Sequence, residues 1–155
     1  MSVPLTPEII SLLQDPSTVK VLTTVDGDGV PHTVFKGSLR ADESGNLQLL
    51  ELIESSRTNR NLVRSIWYNR PVSVFLKGKD SRCFQIKGVP IKTHVSGPVF
   101  QKHYVAIRER LGDVDLAGVW IIRPDEIIDE TPGVRRKEED AAHPVFVHLD
   151  RLVSN

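Results

Sequence analysis

Between residues 18 and 95 the chain alternates short runs of apolar and β-branched residues with turns built from Gly, Asp, Asn and Pro. That order constrains the fold more than any other feature. Val19, Val21 and Thr23 alternate with other β-formers up to Val25, the period of a strand. Asp26-Gly27-Asp28-Gly29 is a turn, and residues 30–39 read as the returning strand, with Pro31 at its start where a missing N–H does least harm. Glu43-Ser44-Gly45-Asn46 makes a second turn before residues 47–53, which are apolar enough to be buried on both faces. Further strands are expected at residues 72–76, at 83–89 with an extension past Pro90 to residue 95, and at 118–123. Pro124-Asp125-Glu126 reads as a single turn.

Helical signals fall between these strands. Thr6-Pro7-Glu8 combines a capping hydroxyl, a first-turn proline and an acid facing the helix dipole, ahead of Ile9, Ile10, Leu12 and Leu13. Residues 57–69 set Leu62, Val63, Ile66 and Trp67 on one helical face, capped by Ser55 or Ser56. A second long helix opens at Gly97-Pro98, repeats Phe100, Tyr104, Ile107 and Leu111 as core positions, and stops at Gly112. Residues 135–140 form a self-neutralising, solvated charged stretch, followed by an apolar tail around residues 145–149.

Six or seven strands in hairpin order with inserted helices predict a mainly β fold: an antiparallel barrel with peripheral helices, not a parallel α/β sheet. The 155 residues suit one domain, residues 1–155, with a core of about residues 18–130. The 20 basic side chains balance 20 acidic ones, so no broad field attracts nucleic acid or an anionic membrane. One cysteine, Cys83, excludes an internal disulfide and points to a reducing, cytoplasmic compartment. No apolar run reaches the length of a membrane span, and the first 13 residues lack the basic cluster of a secretory signal.

Two stretches carry candidate chemistry. Glu54-Ser55-Ser56-Arg57-Thr58-Asn59-Arg60-Asn61 leaves a buried strand and enters a helix with two cations and three hydroxyls. Unpaired N–H groups at a helix start, joined by an arginine and hydroxyl donors, suit a phosphate. The competing reading is a capped helix with solvated arginines. In His32-Thr33-Val34-Phe35-Lys36-Gly37-Ser38, Lys36 breaks an apolar and small run, and Gly37 lets a planar ligand approach the backbone. Here the competing reading is an edge strand with one outward lysine. His32, His94, His103, His143 and His148 lack metal-ligand spacing, so no metal is expected. No serine sits in a nucleophile elbow and no side chain stands out as a general acid or base, so no catalytic residue is assigned.

Four segments together resemble the FMN-binding split-barrel family related to pyridoxamine 5'-phosphate oxidase. They are the opening hairpin over residues 21–32, Ser56-Arg57-Thr58 with Asn61-Leu62, Asn69-Arg70-Pro71-Val72-Ser73-Val74, and Phe84-Gln85-Ile86-Lys87-Gly88. The resemblance covers roughly residues 19–128 and implies a split β-barrel holding FMN. Arg57 and Thr58, helped by Ser56, would hold the phosphate. Val34, Phe35, Lys36 and Gly37 would lie along the ribityl chain and ring. Leu52 and Ile53 would sit beside the isoalloxazine, with Arg82 or Cys83 reaching the phosphate end from the neighbouring strand. It also implies a homodimer with flavin at the interface, the tail at residues 145–149 lying across the partner.

Thr58 and Asn59 replace the lysine-rich stretch of the oxidase branch, and Thr33 stands where that branch often has arginine. The expectation is therefore an FMN-dependent redox protein whose ring does the chemistry, not a vitamin B6 oxidase. The alternatives are a split-barrel module that binds deazaflavin, heme or another ligand without turnover. His32, His94 and His103 are the candidate heme ligands.

Overall fold

The computed structural model describes residues 2–144. The apolar tail at residues 145–149 lies outside the described residues.

Helix α1 (Pro7–Gln14) starts where the capping signal sets it: Thr6 Oγ1 accepts the Ile9 N–H at 3.3 Å, and Ile9, Leu12 and Leu13 are buried. β1 (Val19–Val25) and β2 (Pro31–Phe35) form an antiparallel hairpin. Asp26 closes it, its Oδ1 accepting the N–H groups of Asp28 and Val30, both at 2.9 Å. β2 ends at Phe35 and does not run on to residue 39. One further backbone bond, Lys36 N–H to Lys20 O at 2.9 Å, ends its association with β1. A turn then carries the chain across to β3 (Arg40–Ala41), which pairs with β4 (Leu47–Glu51) on the far side of the sheet.

β5 (Val72–Lys77), β6 (Cys83–His94) and β7 (Gly118–Asp129) complete a seven-stranded antiparallel sheet in the order β2-β1-β5-β6-β7-β4-β3, curled into a half-barrel. The sequence places a turn at Pro124-Asp125-Glu126. The structure instead absorbs Pro124 and Asp125 into β7 as an irregularity opposite Lys87 and Gly88. Gly88 makes this possible, because a Cβ there would lie 2.3 Å from the Arg123 carbonyl oxygen. Pro124 keeps its acceptor engaged with the Val3 N–H at 2.9 Å. β6 likewise passes through Pro90, with Ile91 as an extra residue beside the missing donor.

The concave face encloses one apolar cluster, including Leu22, Leu49, Leu76, Ile86, Trp120 and Ile122. The opposite face of β4 and β7 packs Leu50, Val119 and Ile121 against Ile107 of α3 (Gly97–Leu111). β4 is therefore buried on both faces, as its composition predicts. In α3 only Ile107 is fully buried. Phe100 and Tyr104 pack half-buried beside it and Leu111 is exposed, so the helix covers the sheet along a narrower strip than its spacing suggests. α4 (Pro132–Ala142) turns the charged stretch into an exposed helix, with Arg135 paired to Glu138 at 2.6 Å and also to Glu139.

The larger departure concerns α2 (Arg57–Tyr68). Leu62 is buried, but Val63, Ile66 and Trp67 face outward, and the buried positions are Thr58, Asn61, Leu62 and Ser65. Those four share a helical face by spacing. Their inward orientation is fixed by polar contacts: Asn61 Nδ2 donates to buried Thr24 Oγ1 at 3.0 Å, and Trp120 Nε1 donates to Asn59 Oδ1 at 3.0 Å. The Asn61 amide and the buried Thr24 hydroxyl satisfy each other, which makes a polar inward face tolerable, while Ser65 Oγ is buried without a partner among the described residues.

Candidate functional site

β2 and β4 are not neighbours in the sheet, yet their ends meet where the half-barrel fails to close. Side chains bridge the opening. Lys36 Nζ donates to Glu51 Oε2 at 2.8 Å, and Glu51 Oε1 accepts the Ile53 N–H at 3.1 Å. Ser38 Oγ accepts the Leu50 N–H at 3.0 Å and donates to the Leu50 carbonyl at 3.2 Å. The connection after β2 is held from behind by Lys20, whose ammonium donates to the carbonyls of Leu13 at 2.6 Å and Leu39 at 2.9 Å. Burial, and then the charge of Arg40, push the Lys20 pKa down.

A cleft of about 490 Å³ lies against this bridge, within the range of small-molecule sites. Phe35, Lys36, Gly37 and Ser38 form one wall, Leu50, Glu51, Leu52 and Ile53 another, and Ile107 and Arg110 of α3 the third. Phe35 and Ile53 stand 79% and 60% exposed at its rim. The space around Gly37 is open, with no heavy atom within 4 Å of a Cβ built there. Five of the expected cofactor residues, Phe35, Lys36, Gly37, Leu52 and Ile53, are thus brought together. Val34 is not, because its side chain packs on the core inside the barrel.

Ser56 N–H donates to Ile53 O at 3.1 Å, so a single tight turn joins the cleft to the start of α2. Ser56 Oγ accepts the Asn59 N–H at 3.0 Å as the helix cap, while Thr58 is 2% exposed. The N–H groups of Arg57 and Thr58 have no acceptor within the helix, as at any helix start. Arg57 is exposed and, among the described residues, has no carboxylate within ion-pair distance. It borders a second cavity of about 260 Å³ with Arg60, Asn61 and Arg64 of α2 and with Asp26, Val30, Pro31 and His32 of the hairpin.

Arg82 and Cys83 lie elsewhere. Arg82 pairs with Glu8 at 2.9 Å and Asp80 at 2.7 Å, and the Cys83 N–H donates to Thr131 Oγ1 at 3.0 Å. Cys83 stands at the end of β6 that meets the far end of β7, whereas Glu51 pairs with Gly118 at the start of β7. Within one chain nearly the full length of β7 separates them from the cleft.

Sequence reasoning included Ser38 and Arg60 only as members of its two candidate stretches and passed over Glu51, Arg64 and Arg110. The acid that ends the apolar run of β4 and the repeat of Arg57 at positions three and seven residues on were the available signals. Of the histidines considered as axial ligands, His32 borders the arginine cavity. His94 and His103 border a third cavity of about 620 Å³ between the β3–β4 hairpin and α3. The Gln48 amide donates to His103 Nε2 at 3.1 Å, and burial, then Arg40 and Lys102, push the imidazole pKa down. Among the described residues no three His, Cys, Asp or Glu side chains converge on a metal position, and no helix is long and apolar enough to cross a membrane.

This half-barrel, open between β2 and β4, is the split-barrel fold of the pyridoxamine 5'-phosphate oxidase-like proteins. Several solved structures share it. HupZ of Group A Streptococcus aligns with a TM-score of 0.68 at 18% identity, over 83% of this chain and 95% of its own. A protein provisionally named a pyridoxamine 5'-phosphate oxidase from Lactobacillus delbrueckii gives 0.63 at 21% identity, over 81% of this chain and 93% of its own. An FMN-binding protein from Syntrophomonas wolfei gives 0.63 at 13% identity, over 78% and 82%. No protein-family model and no curated protein matches the sequence.

Proposed function

We propose that this chain is an FMN-binding flavoprotein with an oxidoreductase or electron-transfer role. The cleft beside Lys36 and Glu51 takes the flavin ring, and the start of α2 takes the phosphate. The observation that carries the reading is adjacency. A cleft with apolar rims and a fixed charge pair lies one tight turn from an arginine at a helix start, which among the described residues has no carboxylate partner. The fold, shared with a protein named as FMN-binding, supports it.

The bound flavin would supply the electron and hydride chemistry. The chain's own residues bind and orient. Arg57 offers a guanidinium fork and, with Thr58, free N–H groups to a phosphate. Phe35 and Ile53 flank the ring position and exclude water. Lys36 is immobilised and neutralised by Glu51, so Arg110 supplies the net positive charge at the cleft. Ser56 acts indirectly, by capping the helix that carries Arg57.

The protein acts as a homodimer in the cytoplasm on this reading, a second copy covering the cleft. The exposure of Phe35 and Ile53 beside an open cleft supports a covering partner. The test is an absorbance spectrum of freshly purified protein, with FMN added to a second aliquot before desalting. Flavin bands retained through the column are expected, and sedimentation should give twice the chain mass. A strong near-violet band would point to heme instead. A colourless protein that refuses FMN would leave a binding module without redox turnover.

A further inference from the structure

The outward face of α2 carries features the flavin reading does not use. Arg60, Val63, Arg64 and Trp67 recur at helical spacing, so they share one side of the helix. That side lines a cavity of about 500 Å³ shared with Asn59 and Tyr68. Arg60 and Arg64 also line the smaller cavity beside His32, so the same two guanidiniums stand between an aromatic surface and a polar recess.

Neither arginine has a carboxylate within ion-pair distance among the described residues, and α2 contains no acidic residue. Arg57, Arg60 and Arg64 therefore set three positive charges along about 10 Å of helix, beginning at its positive end. Asp26 is the one carboxylate bordering the recess. Its Oδ1 is engaged by the N–H groups of Asp28 and Val30. The Arg64 guanidinium lies over Gly27 in the space a side chain would take, a Cβ there falling 2.5 Å from Nη1. Next to this concentrated charge, Trp67 is 77% exposed, in a chain whose other tryptophan is 1% exposed. Three arginines against the single Asp26 carboxylate leave the recess net positive, and with the exposed indole beside it this matches a ligand with anionic groups at one end and a flat ring at the other.

We propose that this face is a second ligand site, for a nucleoside diphosphate. Arg60 and Arg64, with His32, hold the diphosphate, and Trp67 with Val63 stacks the base. The site lies apart from the flavin-ring cleft and shares its recess with Arg57.

Isothermal titration calorimetry of the full chain with ADP, inorganic pyrophosphate and inorganic phosphate tests this. ADP should bind about tenfold or more tighter than phosphate and quench the fluorescence of Trp67. Arg60→Gln with Arg64→Gln should weaken ADP and pyrophosphate alike, each by about tenfold or more. Trp67→Leu should weaken ADP about fivefold or more and leave pyrophosphate unchanged. All three positions are exposed, and far-ultraviolet circular dichroism confirms folding. FMN titrated into Trp67→Leu should bind as in the parent, because Trp67 borders neither the cleft nor the recess beside Arg57, so failure of the flavin reading would show separately. The proposal is overturned if ADP binds no tighter than phosphate, or if Trp67→Leu leaves ADP affinity intact. It also falls if the arginine variant loses FMN together with ADP, which would make the two sites one. Conversion of a dimer to a monomer by Trp67→Leu, read by sedimentation, would assign the face to a second copy of the chain and overturn it as well.

Discussion

Lys36 and Glu51 meet at 2.8 Å across two strands that are not neighbours in the sheet, and Glu51 is 2% exposed. This contact spans the opening of the half-barrel and forms the floor of the proposed ring site. A carboxylate so deeply buried is tolerable because an ammonium and the Ile53 N–H together satisfy it.

Removing one partner of this pair should therefore cost more than removing both. Lys36→Met leaves the Glu51 carboxylate buried with one backbone donor and should destabilise the protein by ~3–5 kcal/mol. Lys36→Met combined with Glu51→Leu should recover a large part of that loss. Urea denaturation of the two variants and the parent gives the comparison. A double variant no more stable than Lys36→Met alone would show that the pair does not govern the opening.

Arg57 is expected to act on ligand and not on fold. Arg57→Ala should weaken FMN binding by ~1.5–3 kcal/mol, the range of a charge-assisted contact. The midpoint of urea unfolding should stay within ~0.5 kcal/mol of the parent, because the side chain is exposed. Quenching of flavin fluorescence on titration measures the first. Unchanged FMN affinity would remove Arg57 from the site.

Gly88→Ala addresses how β7 passes through its proline. The added methyl would meet the Arg123 carbonyl oxygen at 2.3 Å, a distance closed only by moving one strand from the other. A loss of ~2–4 kcal/mol is expected from this forced displacement. Thermal denaturation followed by circular dichroism reports it.

His103 predicts a pH dependence of stability. Its imidazole pKa is held below the ordinary value of 6.5, first by burial and then by Arg40 and Lys102. The unfolded chain thus binds a proton at this residue more readily than the folded one. Stability is unaffected above the ordinary imidazole value and declines as pH falls through it toward the lower folded value. Protonation would also remove the acceptor for the Gln48 amide. Comparing urea midpoints between pH 7.5 and pH 5.5 for the parent and His103→Gln measures the effect. The variant should show the shallower decline.

The sequence by itself determined the elements that obey local rules. The α1 cap, the Asp26 turn and the capped start of α2 follow from residue type because each is stabilised by neighbours close along the chain, and the doubly buried β4 was legible from its unbroken apolar composition. It also marked Lys36 and Arg57, since a lysine in an apolar run and an arginine at a helix start are conspicuous before any folding. Tertiary structure decided what those residues face. The partner of Lys36 is 15 residues away on a strand that joins the sheet from the other edge. The orientation of α2 was decided by Thr24, 37 residues from the Asn61 amide it receives. The passage of β7 through Pro124 depends on the absence of a side chain at Gly88 on another strand. Hydropathy period weighs each side chain by its own transfer free energy. A buried polar group is weighed by the partner it finds, and that partner exists only once distant strands have been brought together.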